Sequence, residues 1–108
     1  MLHPIHKLEQ MEELNYLQNA ELMISNLLSA SEVKLDKESV NNIKHYLNHS
    51  EYEMAFEILF LELMKLNEKP KFNVESYKEL AVKLKLNEES VFEPDFWNRF
   101  EKFLAEQS

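Results

Sequence analysis

The fold of this chain is decided by the stretch NHSEYEMAFEILFLELMKLN, residues 48–67. Its apolar residues recur at helical spacing in two stripes, Tyr52, Ala55, Phe56, Leu59 and Leu63 in one and Met54, Ile58, Leu61 and Met64 in the other. A helix that is apolar on most sides must be surrounded by other elements, because each apolar face needs shielding from water. The stretch therefore predicts the central helix of the fold.

Four carboxylates interrupt this apolar stretch, at Glu51, Glu53, Glu57 and Glu62. Ser50 and Glu53 have the spacing of a capping box, which predicts a helix start at Ser50 and places the first acids at the positive end of the helix dipole. Like charges at positions i and i+4, as at Glu53 and Glu57, cost a few tenths of a kcal/mol unless something offsets them. We expect these acids to face outward, toward a positively charged partner.

Glycine is absent from the whole chain, although a protein of this length would carry roughly seven or eight. The tight turns and bulges of sheet proteins commonly need glycine, whereas helices do not. Asparagine is the usual substitute at the left-handed position after a helix, so Asn48, Asn67 and Asn87 are predicted to end helices. The composition therefore favours an all-α fold.

The remaining helices follow from the same periodicity of apolar residues. Helices are predicted at residues 4–30, 37–47 and 74–86, and a last helix is predicted to begin with Pro94 at its first position. Together with the central helix they make a compact bundle of five or six helices. A chain of 108 residues has enough apolar surface for one core, so we expect a single domain, residues 1–108.

Helix starts are marked by hydrophobic staples, in which an apolar residue before the N-cap packs against one in the first turn. Three pairs have this spacing: Leu35 with Val40, Phe72 with Tyr77, and Phe92 with Trp97. Asp36 is the predicted N-cap of the second helix, and Asn73 repeats the pattern before the fourth.

The charge balance argues against nucleic-acid binding. The formal net charge is −8, and the chain has a single arginine, Arg99. Recognition of phosphate backbones usually needs a basic patch, which an acidic surface does not offer. The acidic excess lies mainly in residues 1–66, so we expect any electrostatic interaction surface in the first half.

Several other classes of function are excluded by composition. No apolar run approaches the roughly 20 residues of a membrane span, and the first residues lack the pattern of a secretion signal, so we expect a soluble, cytoplasmic protein with no membrane partner. Without cysteine the chain has neither disulfides nor a zinc-finger site. Without glycine it has no phosphate-binding loop, and no cofactor is expected.

Residues with catalytic or metal-binding potential are few. His45 and His49 have the i, i+4 spacing at which two imidazoles can share a metal ion, and Glu53 follows them. Contact with the negative end of a helix explains the same two histidines without a metal, and we expect no metal site. Threonine is absent and most of the serines lie at or near helix ends, so no activated nucleophile and no catalytic residue is identified. A small metal-dependent hydrolase using these three residues is the alternative to a protein that is no enzyme.

The segment YLNHSEYEMAFEILFLEL, residues 46–63, resembles the core pattern of small, acidic, all-helical immunity proteins. These belong to bacterial polymorphic-toxin and contact-dependent growth inhibition systems, the MafI type included. An aromatic residue ends one helix, a short polar turn follows, and the central helix reads E-x-E-x-A-x-E-x-L. The matching residues are Tyr46, Glu51, Glu53, Ala55, Glu57 and Leu59, and the similarity covers roughly residues 38–100.

The resemblance implies a protein that binds a cognate toxin, usually a basic nuclease domain, and covers its substrate cleft. Carboxylates on a rigid helix can replace substrate phosphates there, and complementary charge speeds association. The resemblance therefore implies that Glu51, Glu53 and Glu57 contact lysines or arginines of the toxin. Tyr52 and His49 are neighbouring candidates for strongly contributing contacts.

Two alternatives remain open at this stage. Glu9, Glu12 and Glu13 form a second acidic set that could contact the toxin instead. Alternatively, the chain is an acidic structural or regulatory module, and it could form a homodimer through the aromatic last helix, with Trp97 and Phe103 as contacts. Many helical proteins are acidic without any basic partner, because glutamate is a strong helix former.

Overall fold

The computed structural model describes the backbone of residues 4–107 and the side chains of residues 15–107. Within these residues it has five α-helices: α1 (Pro4–Ser31), α2 (Lys37–Asn48), α3 (Tyr52–Met64), α4 (Val74–Lys83) and α5 (Phe96–Gln107). A short 3-10 helix, Glu32–Lys34, links α1 to α2. No strand occurs in residues 4–107, and the prediction of an all-α bundle is confirmed.

The predicted helix starts are correct where a polar side chain caps the first turn. Asp36 accepts a hydrogen bond from the Ser39 N–H at 3.3 Å and begins α2, and Asn73 accepts one from the Ser76 N–H at 2.9 Å and begins α4. Such caps satisfy backbone donors that have no partner inside the helix. The predicted start at Pro94 is two residues early, since α5 begins at Phe96.

The start of α3 differs from the prediction. Ser50 does not cap the helix: its φ of 57° places it in the left-handed region, and Glu51 is the N-cap residue without a side-chain hydrogen bond. The Ser50 N–H donates to the Leu47 carbonyl, and the Glu51 N–H donates to the Tyr46 carbonyl at 2.9 Å. These two bonds form a Schellman motif, which ends α2 and turns the chain directly into α3.

The same motif ends α4. Lys85 has a φ of 64°, its N–H donates to the Val82 carbonyl, and the Leu86 N–H donates to the Ala81 carbonyl. Among the described residues the left-handed positions are thus held by serine and lysine. The prediction that asparagine would occupy these positions is wrong.

Helices α2 and α3 form an antiparallel hairpin. Ser39, in the first turn of α2, donates its hydroxyl to Glu62 near the end of α3 at 2.9 Å. Helix α1 runs beside α3 in the same direction: Tyr52 at the start of α3 lies near Glu21 in the middle of α1, and Lys34, after the end of α1, pairs with Glu68, after the end of α3. The α3 helix packs against α1, α2 and α5, so the predicted central position is confirmed.

The core is built around the aromatic residues of α3 and α5. The Phe60 ring lies 5.0 Å from the ring of Phe100 and 4.6 Å from that of Phe56, measured between centroids. Four residues of α5 are buried in this core: Phe96, Phe100, Phe103 and Leu104. Edge-to-face and stacked aromatic pairs add about 0.5–1.5 kcal/mol each beyond their buried area. The aromatic face of α5 is therefore turned into the core.

This packing bears on self-association through α5. Phe103 is buried inside the domain and is therefore not available to a second copy. The expectation that Phe103 is a contact in a homodimer is wrong. Trp97 is half-buried, and its ring lies 5.5 Å from that of Phe100. No helix of the described residues has both the length and the apolar character of a membrane span.

Candidate protein-binding surface

Glu57 is the residue whose placement differs most from the prediction. Its side chain has 0% exposure, so the expectation that it contacts a partner is wrong. The Val91 N–H donates to Glu57 Oε1 at 2.7 Å, and the N–H groups of Phe92 and Glu93 donate to Oε2 at 2.8 and 2.7 Å. The carboxylate thereby fixes the segment of residues 88–95, which we call the anchored loop.

This arrangement explains how a carboxylate can lie inside the domain. Burial of an ionised acid is costly unless its oxygens accept several hydrogen bonds, and bonds to a charged acceptor are about twice as strong as neutral ones. Three consecutive N–H groups converge on Glu57, which makes a concave anion site of the backbone. The same bonds offset the repulsion expected between Glu53 and Glu57, without a basic partner.

The anchored loop exposes two apolar side chains. Val91 is 40% exposed and Phe92 is 45% exposed, although their backbone N–H groups are bound to Glu57. The Phe92 ring lies 6.0 Å from the ring of Tyr46 at the end of α2. Phe92, for which a staple with Trp97 was predicted, therefore packs against Tyr46.

A row of rings continues from Tyr46 to the end of α2. The His45 ring lies 5.7 Å from the Tyr46 ring and 4.4 Å from the His49 ring, and both histidines are exposed. We define Val91, Phe92, Tyr46, His45 and His49 as the loop surface. It combines apolar and aromatic groups with imidazoles on a rigid backbone.

Acidic residues flank Val91 and Phe92 along the chain. The anchored loop has the sequence EESVFEPD, with four acids and no base. Glu88, Glu89 and Asp95 are exposed, and Glu93 forms an ion pair with Arg99 at 3.7 Å. An apolar centre within a charged rim is the usual anatomy of a protein interface.

The other predicted contacts on α3 differ in exposure. Tyr52 is 7% exposed, and its hydroxyl lies 3.5 Å from the Glu21 carboxylate, so little of its surface can reach a partner. Glu51 and Glu53 are half-buried. Glu53 lies close enough to Tyr16 to act on it: burial, and then the charge of Glu53, raise the pKa of the Tyr16 hydroxyl. Both acids keep some surface for a partner, whereas Tyr52 is chiefly structural.

Tyr16 also lines an open groove between α1 and α4. Lys83 lies over the Tyr16 ring at 5.8 Å, and the Tyr77 hydroxyl donates to the Met23 carbonyl at 2.7 Å. Burial raises the pKa of Tyr77. These contacts hold α4 against α1, and we assign the groove no chemical role.

The second acidic set, Glu9, Glu12 and Glu13, has side chains outside the described residues. His45, His49 and Glu53 do not form the three-ligand metal site considered from the sequence. Residues 15–107 contain no group of three or more His, Cys, Asp or Glu placed to hold one ion. The two histidines do come together, and Glu53 instead lies near Tyr16.

The sequence analysis did not predict that Val91, Phe92 and Tyr46 lie together on one surface. The available signal was the pair Val91-Phe92 between acids and before Pro94, where neither residue continues a helical stripe. An apolar pair in such a segment is either covered by the fold or available to a partner, and periodicity alone does not decide between the two.

Comparison of the chain with protein-family models, with curated proteins and with solved structures gave no significant match.

Proposed function

We propose that this chain is an immunity-type protein that binds a basic toxin domain and blocks its substrate cleft. The proposal combines the sequence resemblance over roughly residues 38–100 with the chemistry of the loop surface. A net charge of −8 favours fast association with a cationic partner and disfavours partners of like charge.

The observation that carries the proposal is the anchored loop. Val91 and Phe92 are exposed while their backbone is fixed by a buried carboxylate, so they would lose little conformational freedom on binding. Aromatic anchors inside a charged rim contribute most of the binding energy in many interfaces. Phe92 and Tyr46 are accordingly assigned as the anchors of the complex, with the loop acids around them.

This assignment changes the roles given to the acids of α3. Glu57 becomes a positioning residue, which holds the anchored loop and does not contact the toxin. Glu51, Glu53 and His49 remain proposed partner contacts, because each keeps exposed surface. The acids at Glu88 and Glu89 join them, since they are exposed and lie in the anchored loop.

The proposal predicts that a reading frame beside this chain's gene encodes a basic toxin domain, and the test is binding to that domain together with inhibition of its activity. Phe92→Ala should weaken the complex roughly thirtyfold or more, the equivalent of a contact worth about 2 kcal/mol. Val33→Ala is the control, because Val33 is 91% exposed in the 3-10 helix and lies outside the loop surface. Equal affinity of the two variants would remove the anchor assignment, and absence of any binding would contradict the proposed function.

Charge reversal tests the acidic rim separately. The double variant Glu88→Lys/Glu89→Lys should slow association and reduce its salt dependence. Glu79→Lys/Glu106→Lys is the control, because it makes the same change in net charge at exposed positions on α4 and α5. If both double variants slow association equally, net charge alone acts and the anchored loop has no special role.

A further inference from the structure

We propose that His45 and His49 form a binding site for a divalent transition-metal ion, Cu²⁺ or Ni²⁺ above all, with two protein ligands and the remaining positions open. The observation behind this proposal is the approach of the two imidazoles. His45 lies in the last turn of α2, His49 is its C-cap, and their ring centroids are 4.4 Å apart with an interplanar angle of 55°.

The distance between the rings fits a chelate. A metal–nitrogen bond of about 2.0–2.1 Å puts the centre of an imidazole ring about 3.2 Å from the metal. Two rings at a right angle about the metal then have centres about 4.5 Å apart, whereas a tetrahedral angle would separate them by about 5.2 Å. The observed 4.4 Å is short enough for both imidazoles to reach one ion once their nitrogens turn toward it. Square-planar and octahedral ions accept a right angle between neighbouring ligands, and imidazole is a common ligand of Cu²⁺ and Ni²⁺, so we assign these ions to the site.

The backbone positions of both ligands are fixed before any metal binds. The His49 N–H donates to the carbonyls of His45 and Tyr46, each at 3.2 Å, and the Schellman motif at Ser50 fixes the chain immediately after it. Both side chains are exposed, so an ion can reach them without a change in the fold. Folding therefore fixes the relative positions of the two backbone sites, and only rotations of the two side chains remain to be ordered when an ion binds.

The site differs from the metal-dependent hydrolase considered from the sequence. Within residues 15–107 no third His, Cys, Asp or Glu joins the pair, so water would fill the open positions, or a side chain from a bound partner. The pair lies at the edge of the loop surface, next to Tyr46. Metal binding by the free protein does not depend on the proposed function.

The experiment is a calorimetric titration of the untagged protein with Ni²⁺ and then with Cu²⁺, in a weakly coordinating buffer at pH 7.5. His3 and His6 are replaced by glutamine in every variant, so that only the proposed pair supplies imidazoles. We expect one ion per chain, Cu²⁺ bound more tightly than Ni²⁺, and affinity at least tenfold weaker after either His45→Asn or His49→Asn.

A control variant separates a chelate from two independent histidines. Lys37→His combined with His49→Gln keeps two imidazoles on α2 but places them eight positions, about 12 Å, apart. Its affinity should match that of the single-histidine variant, and its helical circular dichroism should match that of the parent. Electron paramagnetic resonance should report two nitrogen ligands to Cu²⁺ in the parent and one in the control. If the spaced pair binds as tightly as the parent, or if either single removal leaves affinity unchanged within threefold, the proposal is overturned.

Discussion

Replacement of Glu57 by glutamine should destabilise the domain through the anchored loop. Glutamine fills the same volume but has one acceptor oxygen, which can keep either the bond from Val91 or the two bonds from Phe92 and Glu93. The amide NH₂ group then faces at least one backbone donor. The change therefore removes the charge from all three bonds and abolishes at least one of them.

The size of the effect follows from these contacts. A hydrogen bond to a charged group contributes about 1.5–3 kcal/mol, and a buried donor left without an acceptor costs about 1–3 kcal/mol. Loss of one bond and weakening of the others gives a decrease of about 2–4 kcal/mol in the free energy of unfolding. Since small domains have about 5–15 kcal/mol in total, Glu57→Gln should still fold in the absence of denaturant.

The assay is urea unfolding followed by circular dichroism, combined with amide hydrogen exchange at Val91, Phe92 and Glu93. These three amides should be protected in the parent and should exchange much faster in Glu57→Gln. Glu79→Gln, at an exposed position on α4, is the matched control and should change stability by less than about 0.5 kcal/mol. Equal stability of the two variants, or unprotected amides in the parent, would refute the role given to Glu57.

Three further outcomes can be measured in the same unfolding experiments. Lys85→Gly should stabilise the domain by about 0.5–1 kcal/mol, because it removes the steric strain of a side chain in the left-handed region. Asn87→Gly should not stabilise it. Phe60→Ala should cost about 3–5 kcal/mol, and Phe60→Leu distinctly less, because the ring is fully buried. The raised pKa of Tyr16 means that its stabilising contribution is present below pH 10 and is lost as the pH rises through the folded-state pKa. Tyr16→Phe should therefore flatten the fall in urea midpoint between pH 9 and pH 11, and an equally steep fall in this variant would contradict the raised pKa.

Much of the fold could be predicted from the sequence because its causes are local. Apolar residues at helical spacing lie within a few positions of one another, so α1 and α2 end within one residue of their predicted limits. The caps at Asp36 and Asn73 are local for the same reason, since each bonds a backbone donor three residues later.

The helix ends were harder to predict because the left-handed residue has no distinctive side chain here. Ser50 and Lys85 occupy these positions although asparagine tolerates them better, and the strain is compensated by the two hydrogen bonds of each Schellman motif. Leu86, which follows Lys85, is buried and holds the second turn in place through the core. Tertiary packing thus decides where the chain turns, and a single sequence shows packing poorly.

The loop surface could not be predicted from local sequence patterns for a similar reason. Glu57 lies between the apolar stripes of α3 and looks exposed in a helical projection, but it is covered by a segment more than thirty residues later. The projection shows which residues share a face and cannot show what packs on that face. The same segment carries Val91 and Phe92, so the error at Glu57 and the omission of the loop surface have one origin.

Glu57 also connects the stability of the domain to the proposed binding. If the anchored loop leaves its bound conformation for part of the time, the apparent dissociation constant rises by the reciprocal of the fraction that remains competent. Glu57→Gln should then weaken toxin binding even at temperatures where the bundle is fully folded, although the residue has no exposed surface. Phe60→Ala should lower stability at least as much without acting on the loop contacts directly. A loss of affinity in the Glu57 variant but not in the Phe60 variant would therefore identify loop rigidity, and not overall stability, as the property on which recognition depends.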